Sequence, residues 1–319
     1  MRVVFSTKVA RPPVQRALEA FGKDIDLVVC EELTEVAPLV HEADALILSD
    51  PRGAAGKEIA AALKQPGGKV RWVQMLTAGA AGLTSHGVPD DIVITNQGGA
   101  VAPAVAEHGM AMILSMARGI VPICERSARH EWNKTFDPPL FSLEGKTLVI
   151  VGYGNIGAQL AQRAAGFDMK IVGLSRSLSS SPLAEIRPME AMDEELGKAD
   201  VVAVCIASTP STRHIMNAER FAAIKAGALF INLTRGETVD QTALSDALQS
   251  GKLAKAFIDV TDPEPLPADH PLWDAPNLFI SPHTAGAGGT FTGERVAAVV
   301  TENLKRFLRG EQLLHQVKD

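Results

Sequence analysis

The chain alternates short apolar runs with segments whose apolar residues recur at helical spacing. Val3–Phe5, Asp26–Val29, Ala45–Leu48 and Arg71–Met75 read as strands; Pro12–Phe21, Thr34–Ala43 and Lys57–Leu63 read as helices between them. This rhythm predicts a parallel sheet with helices on both faces. A short strand at Ile92–Thr95 and a long helix at Ala102–Arg118 follow, the helix with Pro103 in its first turn. From Val121 to Leu143 the periodicity fails, yet Trp132, Phe136 and Phe141 make the stretch too rich in large side chains for a free linker. A second alternating block starts at Thr147. Its strands are Thr147–Val151, Lys170–Leu174, Val201–Val204, Ala228–Asn232, Ala256–Ile258 and Leu278–Ile280, with helices near Met192–Leu196, Ala218–Ala223 and Gln241–Ser250. A final amphipathic helix, from about Thr290 to Arg309, has no strand after it and must pack elsewhere.

The second block opens on a run that breaks into glycines: Thr147-Leu-Val-Ile-Val-Gly152-Tyr-Gly154-Asn155-Ile156-Gly157. Gly152 suits a tight turn, Gly154 a close approach of a pyrophosphate to the backbone, and Gly157 tight packing of helix on strand. With a β-branched strand before it and a second strand at βαβ distance, the spacing reads as a dinucleotide site, phosphates lying on the N–H groups of the helix start. Cofactor choice is decided at the end of the second strand. An NAD site places a carboxylate there, about 20 residues after the glycines. Here the strand runs into Ser175-Arg176-Ser177, and no carboxylate appears until Glu185. A guanidinium pairs with a 2′-phosphate where a carboxylate repels it, so NADPH is expected over NADH, which is left as the weaker alternative.

Composition narrows the picture. A length of 319 residues favours two domains, and 46% hydrophobic against 5% aromatic content points to cores of Ala, Val, Leu and Ile. A formal charge of −6, with Lys and Arg scattered, gives no electrostatic reason to expect nucleic acid or an anionic membrane as partner. Cys30, Cys124 and Cys205 are widely spaced and read as buried thiols in a reducing cytosol. No signal-like stretch or membrane-length apolar run is seen, so a cytoplasmic protein is expected. The histidines lack metal-ligand spacing, and no metal is expected. Glu107 and His108, neighbours on the long helix, read as a capped or solvated polar stripe rather than as catalytic groups.

Three polar residues each follow a strand of the second block: Arg235, Glu264 and His283. They are expected together at the carboxyl edge of the sheet. A guanidinium fork holds a carboxylate, an imidazole passes a proton near neutral pH, and a carboxylate behind it fixes the tautomer. The stretch Thr77-Ala78-Gly79-Ala80, just past a strand of the first block, is a small-residue loop at a similar edge.

The segments Asn232-Leu-Thr-Arg235-Gly236, Asp259-Val-Thr-Asp-Pro-Glu264-Pro265, His270-Pro-Leu-Trp273 and Ser281-Pro-His283-Thr-Ala-Gly286, with the glycine loop and Ala106-Glu107-His108, resemble the signatures of the D-isomer-specific 2-hydroxyacid dehydrogenases, in the same order. The resemblance implies two α/β doubly wound parallel-sheet domains, a flavodoxin-like outer substrate domain of residues 1–100 with 286–319 and a Rossmann dinucleotide-binding domain of 101–285. Hinges are implied near Gly98–Ala100 and Thr284–Gly288. It also implies that Arg235 binds the carboxylate and carbonyl of a small 2-oxo acid, that His283 protonates the carbonyl oxygen, and that Glu264 holds the imidazolium. Asp259 would meet the nicotinamide carboxamide, with the backbone of Ala207 and Leu233 nearby, and Ala78 and Gly79 would hold the substrate carboxylate. Two departures stand out: the family's Gly-Val-Asp type loop is replaced at Thr77–Ala80, and Thr261 stands where Phe is frequent. Glyoxylate or hydroxypyruvate is the first expected substrate, and larger phenylpyruvate-like or branched 2-oxo acids are the alternative. A nucleotide-sensing, corepressor-like binding role is the less favoured reading. A homodimer is implied through the irregular 121–143 arm.

Overall fold

A computed structural model of the chain describes residues 1–177, 180–289 and 291–317. It divides into two compact units, Met1–Ala100 with Gly289–Asp319, and Val101–Gly288; the return to the first unit falls at Gly289 rather than at the expected 286.

The first unit runs β1 (Arg2–Ser6), α1 (Arg11–Glu19), β2 (Asp26–Val29), β3 (Ala45–Leu48), α2 (Gly53–Leu63), β4 (Trp72–Met75), α3 (Ala81–Thr84) and β5 (Val93–Thr95). Its sheet has the order β2-β1-β3-β4-β5, all parallel. β3 and β4 are buried at every position, as central strands covered on both faces must be. The helix expected over Thr34–Ala43 forms instead as two short 3₁₀ turns, Leu33–Glu35 and Ala37–Glu42. Pro38 lacks the N–H that a continuous α-helix would need there.

The second unit begins with α4 (Ala102–Arg118), which ends at Gly119 with φ 63°. It continues as α5 (Ile120–Ala128), where an irregular segment was expected; α5 buries none of its residues, so no apolar stripe marks it in the sequence. Cys124 lies on it and is exposed, against the expectation of a buried thiol, whereas Cys30 and Cys205 are buried. Then come β6 (Thr147–Val151), α6 (Asn155–Ala165), β7 (Lys170–Ser175), β8 (Glu185–Pro188), α7 (Met192–Leu196), β9 (Val201–Val204), α8 (Ala218–Ala223), β10 (Ala228–Asn232), α9 (Gln241–Gln249), β11 (Leu253–Ile258) and β12 (Leu278–Ile280). The parallel sheet has the order β12-β11-β10-β9-β6-β7-β8. Strand order reverses beside β6, and its carboxyl end is therefore the crevice where such sheets bind ligands. β8 was not anticipated: Glu185-Ile-Arg-Pro188 is a short edge strand with no apolar alternation.

From Gly289 the chain rejoins the first unit, and α10 (Thr292–Leu308) buries Val296, Ala297, Val300 and Leu304 in the core that holds Val3, Phe5 and Trp72. Thr290, the expected first residue of this helix, lies outside the described residues. A fully buried polar network ties α10 down. Asn303 Nδ2 donates to Gln74 Oε1 at 2.9 Å, which also accepts from Thr95 Oγ1 at 2.8 Å, and Thr95 in turn accepts from Trp72 Nε1 at 2.9 Å. Satisfied in this way, buried polar groups hold one register rather than cost stability. The following segment covers β5: Gln316 bridges Thr95 antiparallel, and Val317 N–H donates to Ile94 O at 2.9 Å. No helix among the described residues is long and apolar enough to cross a membrane.

Candidate active site

The carboxyl end of β6 carries the glycine loop. Gly152 has φ 97°, and a Cβ there would stand 2.6 Å from Ile206 Cα, so only glycine fits. Its N–H and that of Tyr153 donate to Leu174 O at 3.0 and 2.9 Å, closing the turn onto β7. A Cβ on Gly157 would come 2.7 Å from Gly152 O, the close approach of helix to strand. Around Gly154 there is open space within 4 Å, and α6 starts at Asn155 without a side-chain cap. Uncapped N–H groups facing an open glycine are what a pyrophosphate needs, so the residues present fit a dinucleotide. At the end of β7, Ser175 Oγ accepts from Ser177 N–H at 3.3 Å, and Arg176 is exposed beside them. Leu233 is buried and Ala207 O accepts from Thr212 Oγ1 at 2.8 Å.

Arg235 follows β10 in extended conformation. Its carbonyl is clamped by two buried side chains, Asn232 Nδ2 at 2.9 Å and Thr238 Oγ1 at 2.7 Å. A Cβ on Gly236 would lie 2.0 Å from Thr261 C and 2.1 Å from Thr261 O, which brings the Arg235 turn directly against the segment that leads to Glu264. That segment is braced by Gln241: its Nε2 donates to Asp262 O at 2.5 Å and its Oε1 accepts from Asp262 N–H at 3.1 Å. In the sequence Gln241 looks like an ordinary helix-start residue, and Asn232, although it opens the segment that ends in Gly236, shows no sign of its role in clamping the Arg235 carbonyl.

His283 and Glu264 meet. His283 Nδ1 lies 2.7 Å from Glu264 Oε1, and both side chains are partly exposed, 39% and 30%. Nδ1–H donating to the carboxylate leaves Nε2 as the ring nitrogen free for another partner. His283 sits at φ 54°, a left-handed conformation unusual for a residue with a side chain. Asp259 supports it. This carboxylate, 1% exposed, accepts from Thr284 N–H and Ala285 N–H, both at 2.9 Å, and from Ser281 Oγ, while its carbonyl accepts from His283 N–H at 2.8 Å. A residue expected to meet the cofactor thus also anchors the loop that presents His283. Glu107 pairs with Arg163 at 2.7 Å on the surface, whereas His108 turns inward to Ser281 and Asp259.

In the first unit, Ala78 and Gly79 form the loop after β4. Their carbonyls accept from Asn96 Nδ2 at 3.1 Å and Thr77 Oγ1 at 2.9 Å.

Fold and site define a dinucleotide-binding α/β protein with an Arg, a Glu and a His at the strand ends of its larger sheet. Residues 110–285 match the family model of the D-isomer specific 2-hydroxyacid dehydrogenase NAD binding domain. Glyoxylate/hydroxypyruvate reductase B of Citrobacter koseri is 42% identical over 213 residues, 65% of this chain and 65% of that protein. The Escherichia coli protein of the same name is 32% identical over 291 residues, 88% of each chain. Among solved structures, a D-isomer specific 2-hydroxyacid dehydrogenase family protein from Aeromonas salmonicida superposes with a TM-score of 0.86 at 29% identity over 99% of both chains. One from Xanthobacter autotrophicus, in complex with NADPH and MES, gives 0.82 at 26% identity over 99% of this chain and 98% of that one. The chain belongs to the D-isomer specific 2-hydroxyacid dehydrogenase family, and its second unit is the family's nicotinamide-dinucleotide domain.

Proposed function

We propose that the protein reduces a small 2-oxo acid, glyoxylate or hydroxypyruvate, to the D-2-hydroxy acid with NADPH. The 2.7 Å contact between His283 Nδ1 and Glu264 at the sheet edge carries this reading, and the reductase names of its relatives support it. Bound reduced nicotinamide supplies the hydride to the carbonyl carbon. Arg235 holds the substrate carboxylate and polarises the carbonyl. His283 gives the Nε2 proton to the carbonyl oxygen, and Glu264 fixes the ring orientation through Nδ1. Met1–Ala100 with Gly289–Asp319 serves as the substrate domain and Val101–Gly288 as the cofactor domain.

Gly152, Gly154, Asn155, Ile156 and Gly157 would hold the pyrophosphate, with Asp259 and the backbone of Ala207 and Leu233 toward the nicotinamide. Arg176, assisted by Ser175 and Ser177, takes the 2′-phosphate; the exposed guanidinium at the end of β7 and the NADPH complex of the Xanthobacter relative support this choice. The test is a panel of 2-oxo acids followed by loss of reduced cofactor, with NADPH and NADH in parallel. Turnover of glyoxylate or hydroxypyruvate, with kcat/KM higher for NADPH and Arg176→Ala reversing the ratio, is the expected result. No turnover on the panel overturns the activity, and a preference for NADH overturns the cofactor assignment. The protein works as a homodimer through the 121–143 arm, on which Ile123 and Trp132 stand 42% and 92% exposed. Light scattering at micromolar concentration that returns a monomer mass removes the dimer.

A further inference from the structure

His108 lies two turns into α4, far in sequence from the strand-end residues, yet its side chain reaches the loop that carries His283. Its Nε2 is 3.4 Å from Ser281 Oγ and 3.9 Å from Asp259 Oδ1, and its ring lies 5.3 Å, centroid to centroid, from Phe257 of β11. Ser281 has one hydroxyl proton, and that proton is committed to Asp259 Oδ1. The serine oxygen can therefore only accept from His108, which makes Nε2–H the donor and sets the tautomer. A directed chain results: His108 Nε2–H to Ser281 Oγ–H to Asp259, whose carboxylate in turn holds the amides of Thr284 and Ala285 on the far side of His283.

We propose that His108 is a positioning residue for His283, acting through Ser281 and Asp259. The proposal rests on the proton-donor role proposed for His283. The need for it follows from the backbone: His283 is held at φ 54°, and a non-glycine residue stays in that region only when its surroundings over-determine it. Asp259 supplies that constraint, but a carboxylate with several lone-pair directions needs its own orientation fixed. Ser281 and His108 fix it from the α4 side, so that helix and loop move as one body. The Phe257 contact gives His108 a packing role as well, and the two roles are separable by substitution.

The experiment uses the full chain with NADPH and the best 2-oxo acid of the panel. His108→Phe keeps the aromatic contact with Phe257 and removes the donor. Its kcat is expected to fall about tenfold, short of the ~10²-fold that a misplacement of about 1 Å costs. Cofactor Kd should stay within about twofold and Tm within about 2 °C of the parent. His108→Gln, which restores an N–H toward Ser281, should recover kcat to within about threefold. Ser281→Ala should match His108→Phe, and the double variant should be no slower than either, because the two groups act in one chain. Amide exchange in the 281–285 segment, which needs no substrate, should quicken in His108→Phe and Ser281→Ala alike. A His108→Phe enzyme within about twofold of the parent, a glutamine variant as slow as the phenylalanine one, additive losses, or unchanged exchange overturns the proposal. Should His108→Phe fail to fold, Ser281→Ala decides: parental kcat or parental exchange in that variant refutes it. A parent that turns over no 2-oxo acid defeats the activity, and the exchange measurement still judges the positioning role.

Discussion

Gly236→Ala is the most direct probe of how the site is assembled. A Cβ at this position would stand 2.0 Å from Thr261 C, 2.1 Å from Thr261 O and 2.5 Å from Asp262 N, all backbone atoms that cannot swing aside. Ordinary contact begins at about 3.4 Å, so the turn after Arg235 and the segment before Glu264 must part by roughly 1.4 Å. Overpacking of this kind costs about 1–3 kcal/mol, and for a unit of this size each kcal/mol lowers Tm by about 2–4 °C. The effect on turnover is larger. The shift separates Arg235 from the Glu264–His283 pair, and misplacement by about 1 Å costs on the order of 10²-fold in rate. Steady-state kinetics and thermal unfolding on the same preparation measure both, with Gly68→Ala as the control, since a Cβ there meets only Gln65 O at 3.5 Å. A folded Gly236→Ala enzyme with kcat within about threefold of the parent and an unchanged Tm would refute the reasoning.

Other outcomes follow from the same geometry. His283→Ala should lower kcat by on the order of 10²-fold to 10⁴-fold with cofactor binding intact; a near-parental kcat, measured with saturating NADPH, removes His283 from proton transfer. Glu264→Gln removes the carboxylate that faces His283 Nδ1 at 2.7 Å, so kcat should fall with cofactor binding intact; a parental kcat counts against the pairing. Lys255 on β11 is 7% exposed with its Nζ donating to Met116 O at 3.0 Å, and burial lowers its pKa from the ordinary 10.5. The unfolded chain therefore binds more protons than the folded one just below 10.5, and stability from this group rises with pH through that window. Lys255→Met should flatten the rise in urea-unfolding stability as pH approaches 10.5 from below; the same slope in parent and variant would show that another group sets it.

Much of this was legible in the sequence because it was written in local chemistry. Gly152 and Gly157 are demanded by close contacts within a few residues or an adjacent strand end, and apolar runs such as Leu148–Val151 can only be buried strands. Arg235, Glu264 and His283 stood out because each follows a strand, and strand ends of parallel sheets share one edge. What escaped was decided by partners distant in sequence. Asn232 and Gln241 act on backbone groups, which leaves no pattern. His108 looks like part of a polar stripe until β12 brings Ser281 beside it. β8 and α5 escaped for the opposite reason, since a charged edge strand and a helix that buries nothing carry no periodic signal.

The way α10 closes the first unit has a consequence for how the chain acquires its structure on the ribosome. Val296, Ala297, Val300, Leu304 and Leu313 complete a core whose other buried members precede Val101, and the polar network through Asn303 cannot form until that helix emerges. Val101–Gly288 is contiguous and can fold as it is made, a nested insertion inside a host still missing a wall. At about 5–20 residues per second, roughly 10–40 s separate the emergence of Thr95 from that of Leu304. Through that interval β5 presents an uncovered edge and the α10 side of the first core faces water. The demand for chaperone protection during synthesis therefore falls on the smaller unit, although it is the first to be translated.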